Sequence, residues 1–139
     1  MILVLNQNRP LITERVGAEI CIKKVLARHP EKVRALDASL ATTDKIEDIV
    51  NDPDIDIVVE LMGREHPALE YMEAALKAGK NVVTANKDVV AVHGKELFEL
   101  AAANHVDFLF EAAVAGGIPI IRPLKESLAA NKISKIMGI

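Results

Sequence analysis

From residue 18 onward, short apolar runs alternate with segments in which apolar residues recur at helical spacing. Strands are predicted at 18–27, 55–62, 81–85 and 106–111. The run at 55–62 is nearly continuous in apolar residues, which indicates a strand buried on both faces and ended by Gly63. Strands that alternate with helices are typical of a parallel sheet covered by crossover helices, so we predict an α/β fold.

Helices are predicted in the segments that separate the strands. Asp44 and Glu47 have the spacing of a capping box, which would begin a short helix ending at Val50. In a second helix, Pro67 suits the first turn and Gly79 suits the C-terminal cap. The remaining predicted elements are a helix at 95–103, a helix from 116 to about 130, and a strand at 133–139.

Composition and charge narrow the classes of function. The chain has 139 residues, which suits one domain spanning 1–139. The net charge of −3 comes from interspersed acids and bases and only 3% of the residues are aromatic, so no nucleic-acid partner is expected. No apolar run reaches membrane-spanning length and no signal peptide opens the chain, so we expect no membrane role and a cytoplasmic protein. The single cysteine, Cys21, is predicted to be a buried thiol.

Ligands of an open parallel sheet bind beyond the carboxyl ends of its strands, so residues that follow the predicted strands are candidates for a binding site. Arg28 follows the first strand, where an NAD-selective fold would place an acid, and a guanidinium there favours the 2′-phosphate of NADP. The alternative is a surface arginine lying over the sheet edge. Leu61, Met62 and Gly63 end the second strand at the same edge.

Two further candidates follow the later strands. Lys87 closes the segment TANK (84–87), and its ammonium could reach a nicotinamide ring or a substrate carbonyl oxygen; the alternative is a solvated lysine. Glu111 leads into the small-residue loop AAVAGG (112–117), where a carboxylate and backbone carbonyls could bind a hard cation. The alternative is a carboxylate that caps a neighbouring helix. The four histidines share no ligand spacing, so we assign them no catalytic metal.

Four segments resemble homoserine dehydrogenase, in order along the chain: VGAEICIKKVLAR (16–28), DPDIDIVVELMG (52–63), ALKAGKNVVTANK (75–87) and FEAAVAGGIPIIRPLKESLAANKI (110–133). The resemblance implies a doubly wound parallel sheet of Rossmann type that binds NAD or NADP. It also implies reversible interconversion of L-homoserine and L-aspartate 4-semialdehyde, a step toward threonine and methionine, in which the cofactor carries the hydride.

The resemblance implies roles for individual residues as well. In that family the lysine that matches Lys87 contacts the cofactor and the reacting substrate, so Lys87 is the predicted catalytic residue. The residues that match Glu111, Val114, Gly116 and Ile118 coordinate a monovalent cation, usually sodium. The predicted cofactor contacts all lie at strand ends: Arg28, Leu61, Met62, Gly63, Thr84, Ala85 and Lys87.

Compared with that family, the sequence lacks the first strand and the glycine-rich turn that cradles pyrophosphate, and it lacks the later substrate and dimerisation region. We therefore expect a fragment that is inactive by itself, with a non-catalytic ligand-binding or assembly domain as the alternative. The absent strand would lie between the strands at 18–27 and 55–62 and leave unpaired edges, which a homodimer could cover.

Residues 1–5 fit two structures. Their composition, MILVL, is that of a buried strand that could fill the central gap, whereas alignment with the family makes residues 1–9 the second half of a helix. We predict the helix, with Pro10 ending or kinking it early.

Overall fold

A computed structural model describes residues 1–138. The chain divides into two compact units, the first covering residues 1–55 and the second beginning at residue 56. Within the described residues, no helix has the length and apolar character needed to cross a membrane. Both units contain parallel strands connected through helices, so the predicted α/β class is confirmed.

The first unit contains two short strands and three helices. Strand β1 pairs in parallel with β2, with Val25 opposite Thr42. Its buried apolar side chains are Val33, Ile49 and Ile55. The elements are α1 (Ile2–Val16), β1 (Lys24–Leu26), α2 (Pro30–Leu36), β2 (Ala41–Thr43) and α3 (Glu47–Val50).

Helix α1 confirms the helical interpretation of the N-terminal residues, but Pro10 does not end it. The proline removes one backbone N–H, whose acceptor would be the carbonyl of Asn6, a residue exposed to solvent. The helix continues to Val16 and ends at Gly17, which has a φ of 76° and donates its N–H to the Thr13 carbonyl.

Strand β1 is much shorter than the predicted strand at 18–27, because its ladder with β2 covers only three residues. Residues 18–23 have no regular structure, and the prediction that Cys21 is buried was wrong, since its side chain is exposed. The Lys24 ammonium instead ties the strand to the end of α3, donating to the Asp48 carbonyl at 2.7 Å and to the Asp52 carboxylate at 3.1 Å.

Two elements of this unit, α2 and β2, are absent from the sequence-based prediction. Pro30 occupies the first turn of α2, where a proline loses no helical hydrogen bond. The predicted capping box is also wrong, because Asp44 makes no cap. The hydroxyl of Thr43 accepts the Lys45 N–H at 3.1 Å and donates to the Asp48 carboxylate.

The second unit contains a parallel sheet in the order β3-β4-β5. The registers place Val59 beside Val83, and Val83 beside Leu109. The elements are β3 (Ile57–Glu60), α4 (Ala68–Lys77), β4 (Asn81–Thr84), α5 (Lys87–Ala103) and β5 (Phe108–Leu109), followed by a 3₁₀ turn (Glu111–Ala113) and a π-helical turn (Pro123–Ser127).

Only one face of this sheet is covered within the second unit. Helices α4 and α5 contact the strands and bury Met72, Leu76 and Leu97 completely or nearly so. The opposite face is apolar but exposed, with Ile57 at 50% and Leu109 at 53% relative exposure. The prediction that the strand at 55–62 is buried on both faces was therefore wrong, since alternate side chains of β3 face solvent.

Two predicted helix boundaries in the second unit can be compared with the structure, the end of α4 and the start of α5. Helix α4 ends in a Schellman motif, in which Gly79 with a φ of 73° donates its N–H to Leu76 and Lys80 donates to Ala75, confirming the cap at Gly79. Helix α5 begins at Lys87, eight residues before the predicted start, because Asn86 caps it.

The predicted C-terminal elements are shorter or absent. The predicted strand at 106–111 is reduced to Phe108–Leu109, and the predicted helix at 116–130 to helical turns over 121–127. Residues 133–138 form no strand, and Ile139 lies outside the described residues.

Candidate functional site

In the first unit, a cavity of about 270 Å³ lies at the carboxyl ends of β1 and β2. It is lined by Ala27, Arg28, Pro30, Arg34, Thr42, Thr43 and Asp44. The ladder extends into this region, because the Ala27 N–H donates to the Thr43 carbonyl at 2.9 Å. Arg28 therefore lies where the sequence predicts it, at the end of a parallel strand.

Arg34 is a second arginine at this cavity, and it was not predicted because the sequence pattern does not indicate α2. Asp44 also lines the cavity. Within the described residues, neither arginine forms an ion pair with Asp44, so both guanidinium groups are available to an anion. Guanidinium groups bind phosphate in a planar, bidentate geometry, while a carboxylate accepts hydrogen bonds from ribose hydroxyls.

In the second unit, the residues that follow β3 form an exposed loop. Leu61 and Met62 are exposed, and Gly63 and Arg64 both have positive φ, 67° and 62°. Successive left-handed residues turn the chain sharply away from the strand. The predicted cofactor contacts at Leu61, Met62 and Gly63 thus lie at the carboxyl edge of the sheet.

The turn between β4 and α5 carries the other predicted contacts. Thr84 and Asn86 are buried, whereas Ala85 and Lys87 are exposed. The Asn86 side-chain oxygen accepts the Val89 N–H at 3.2 Å, which makes Asn86 the N-cap of α5 and Lys87 its first residue. The Lys87 side chain therefore leaves the first turn of a helix at the edge of the sheet.

Glu60 is a buried acid beside these residues that the sequence analysis did not identify. It is the last residue of β3 and its relative exposure is 5%. One carboxylate oxygen accepts the Thr84 hydroxyl at 2.6 Å, and the other accepts the Met62 N–H at 2.5 Å. The Asn86 amide donates to the Arg64 carbonyl at 2.6 Å. Only the position of Glu60 within an apolar strand run could have drawn attention to it.

Glu111 and Lys87 lie at the same edge of this sheet. They follow β5 and β4 respectively, which are adjacent parallel strands, and the 3₁₀ turn that begins at Glu111 contacts β4. The Glu111 carboxylate accepts the backbone N–H groups of Ile120, Ile121 and Arg122 at 2.6, 2.9 and 2.8 Å. These hydrogen bonds, that of Arg122 above all, lower the pKa of Glu111 below its usual range.

The Glu111 carboxylate therefore caps the helical turns over 121–127, as the alternative sequence interpretation expected. Among the other predicted cation ligands, Val114 is half-buried, while Gly116 and Ile118 are exposed. Ala115 and Gly116 have positive φ, 56° and 60°, which makes this loop a tight turn. Residues 1–138 contain no cluster of three or more His, Cys, Asp or Glu side chains that could hold a metal ion. A cation here would depend on backbone carbonyls and on one carboxylate, and the ionised state of Glu111 suits that charge.

Parallel strands connected through helices, with polar groups beyond their carboxyl ends, are typical of Rossmann-like nucleotide-binding proteins. Residues 5–111 match the family described as "Homoserine dehydrogenase, NAD binding domain". This match covers more than half of the chain, and the chain belongs to that family.

Individual relatives agree with the family match. The chain is 48% identical over 139 residues to a homoserine dehydrogenase of Lactococcus lactis, with 98% of the chain and 32% of the relative covered. It is 42% identical over 137 residues to that of Bacillus subtilis, with 98% and 32% covered. The crystal structure of a homoserine dehydrogenase from Thiobacillus denitrificans superimposes with a TM-score of 0.86 at 49% identity, covering 94% of this chain and 30% of that one. The chain thus spans about a third of the length of these relatives.

Proposed function

We propose that this chain supplies the cofactor-binding part of an NAD(P)-dependent homoserine dehydrogenase. The observation that carries the proposal is the set of polar groups at strand ends in a chain of the matched family. The proposed reaction interconverts L-homoserine and L-aspartate 4-semialdehyde, in threonine and methionine biosynthesis. A homodimer, a cytoplasmic location and inactivity of this segment alone are further parts of the proposal.

The first unit is proposed to bind the adenosine side of NADP. Two guanidinium groups, Arg28 and Arg34, line the cavity at the ends of β1 and β2. Charge-assisted hydrogen bonds from arginine to phosphate contribute about 1.5–3 kcal/mol, which corresponds to a preference of about ten- to a hundredfold for a ligand carrying the 2′-phosphate. Asp44 would instead favour a free ribose hydroxyl, so the two arginines are proposed to outweigh it.

The second unit is proposed to hold the nicotinamide side. When bound, the cofactor supplies hydride transfer between nicotinamide C4 and the aldehyde carbon. Lys87 is proposed to direct its ammonium at the substrate carbonyl oxygen and to stabilise the charge that develops there. The backbone of Leu61, Met62 and Gly63 and the turn at Thr84 and Ala85 are proposed to lie against the cofactor.

The cation proposed from the sequence is sodium, bound by the Glu111 carboxylate with backbone oxygens of Val114, Gly116 and Ile118. Support comes from the ionised state of Glu111 and from the tight turn that follows it. Three backbone N–H groups donate hydrogen bonds to the Glu111 carboxylate, so the same carboxylate would both coordinate the cation and cap the helical turns over 121–127.

Titration of the purified chain with 2′,5′-ADP, 5′-AMP, NADPH and NADH, followed by calorimetry, tests the cofactor proposal. Because the contacts proposed here come from a few groups at strand ends, we expect weak binding, with Kd values of about 0.1–1 mM. Arg28→Ala should weaken binding of 2′,5′-ADP at least tenfold, whereas Lys32→Ala, an exposed change on α2 outside the cavity, should not. Equal binding of 2′,5′-ADP and 5′-AMP would overturn the NADP preference, and no binding of any ligand would overturn the cofactor role.

The role of Lys87 is tested by turnover in a full-length homoserine dehydrogenase that contains this segment. Lys87→Ala should depress kcat by at least a hundredfold while leaving the unfolding midpoint nearly unchanged, because the side chain is exposed. Lys95→Ala, an exposed lysine about two turns further along α5, is the matched control. Equal kcat values in the two variants would remove Lys87 from the reaction.

A further inference from the structure

Glu60 joins two loops of the second unit through its carboxylate. Along the chain, Thr84 lies 24 residues after Glu60. The carboxylate accepts the hydroxyl of Thr84 with one oxygen and the N–H of Met62 with the other. The Thr84 hydroxyl oxygen itself accepts the Asn86 N–H at 3.0 Å, so its only proton is directed to Glu60.

A second contact joins the same two loops. The Asn86 side chain donates to the Arg64 carbonyl, and the Ala85 N–H donates to the Glu60 carbonyl at 3.3 Å. The loop after β3 and the turn that leads into α5 are therefore connected at both the strand end and the loop. Because Lys87 directly follows the N-cap Asn86, its backbone position depends on these contacts.

The residue at position 60 has to accept two hydrogen bonds, one from each of the two loops. Met62 and Thr84 each present a donor to Glu60, and a carboxylate can accept with both of its oxygens. Burial of a carboxylate costs several kcal/mol unless its oxygens are hydrogen-bonded, and both oxygens of Glu60 accept a hydrogen bond here. These two hydrogen bonds attach the Met62 backbone and the Thr84 side chain to the same carboxylate at this edge of the sheet.

We propose that Glu60 is a positioning residue, which sets the spacing between the backbone of Met62 and Gly63 and the turn that carries Lys87. The inference rests on the proposed function, because the spacing matters for a nicotinamide group that lies between those two segments. As a positioning residue, Glu60 acts through Thr84 and Met62 and does not itself contact the cofactor or the substrate.

The test uses the ¹⁵N-labelled chain and two probes, reduced nicotinamide mononucleotide and 2′,5′-ADP, followed by amide NMR shifts. Glu60→Gln keeps the shape but presents an NH₂ group to one of the two donors. We expect the Kd for the mononucleotide to rise at least tenfold and the Met62 amide shift to change, while the Kd for 2′,5′-ADP changes less than twofold. Glu96→Gln, an exposed glutamate on α5, should leave both titrations unchanged.

A second variant keeps the test decisive if Glu60→Gln unfolds. Thr84→Val preserves side-chain shape and removes the hydroxyl donor, and it should reproduce the selective loss. In the double variant the loss should not exceed that of Glu60→Gln alone, because the two side chains share one hydrogen bond.

The outcomes separate the inference from the function on which it rests. If the unmodified chain binds 2′,5′-ADP but shows no shift with the mononucleotide, the proposed nicotinamide role of this edge is wrong and the role of Glu60 falls with it. If the mononucleotide binds the unmodified chain and the Glu60→Gln and Thr84→Val variants equally, only the positioning role of Glu60 is overturned. Equal loss of both probes in the folded Thr84→Val variant would also overturn it, since a general structural effect would then explain the data.

Discussion

Replacing Asn86 by alanine should destabilise the second unit by about 2 kcal/mol. The side chain caps α5 by accepting the Val89 N–H, and loss of such a cap costs about 1 kcal/mol. The same side chain donates to the Arg64 carbonyl, and leaving a part-buried acceptor without its donor costs about 1 kcal/mol more. Asn86 itself is 3% exposed, so water replaces neither contact easily.

Two further variants separate these contributions. Asn86→Asp keeps the oxygen that caps α5 and loses the amide donor, so we expect it to lower the free energy of unfolding by about half as much as Asn86→Ala. Asn104→Ala removes an amide at the opposite end of α5 and should cost under about 0.5 kcal/mol; among residues 1–138, that amide forms one hydrogen bond, to the Leu100 carbonyl.

Urea unfolding followed by tyrosine fluorescence measures these differences. The chain contains one tyrosine and no tryptophan, and Tyr71 lies on α4, which packs against α5. With a urea m value of about 2 kcal/mol per molar, Asn86→Ala should lower the midpoint by about 1 M. If Asn86→Ala and Asn104→Ala unfold at the same midpoint, the assignment of Asn86 as a buried link between the two loops is wrong.

Further predictions concern the core, the glycines and pH. Leu97→Ala should lower the free energy of unfolding by about 3 kcal/mol, because the Leu97 side chain is 1% exposed. Val92 lies on the same helix but is 63% exposed, so Val92→Ala should lower it by under about 0.5 kcal/mol. Equal urea midpoints for the two variants would contradict this packing. Gly79→Ala should destabilise the protein by about 1 kcal/mol, because φ at Gly79 is positive. Gly94→Ala should stabilise it by about 0.5–1 kcal/mol, since the new methyl group would meet its nearest side chain at an ordinary 3.7 Å. If the two variants moved the thermal midpoint in the same direction, these two predictions would be wrong. The lowered pKa of Glu111 means that its contribution to stability is present above the ordinary carboxyl pKa of 4.5 and is lost as pH falls through the folded-state value. Urea midpoints across the acid range should therefore fall less steeply in Glu111→Gln, and an identical slope would refute the assignment.

The order of elements in the second unit could be predicted from local patterns. The apolar runs that contain β3 and β4 are interrupted by a segment of helical spacing, and Gly79 follows it at the position of a cap. These signals are local, because each depends on residues within one or two turns of each other. The strand-end positions of Lys87 and Glu111 follow from the same patterns, so their shared edge was predictable as well.

The remaining features depend on contacts between distant residues. Strand length in β1 is set by how many residues of β2 pair with it, which the run at 18–27 does not encode. Glu60 is part of an apolar strand run in the sequence, and its partner Thr84 is known only once β3 and β4 pair. Arg34 joins Arg28 at one cavity only because Pro30 begins helix α2, an element that the sequence pattern did not predict.

The exposed apolar face formed by Ile57, Val59 and Leu109 has a thermodynamic consequence. Unfolding ordinarily raises the heat capacity by about 12–15 cal/mol/K per residue, because apolar groups enter water. Groups that are already hydrated in the native protein add nothing to that increase, and the area they would otherwise contribute is also missing from the denaturant m value. The heat-capacity increment of this chain is therefore smaller than its length suggests, and its curve of stability against temperature is correspondingly flatter.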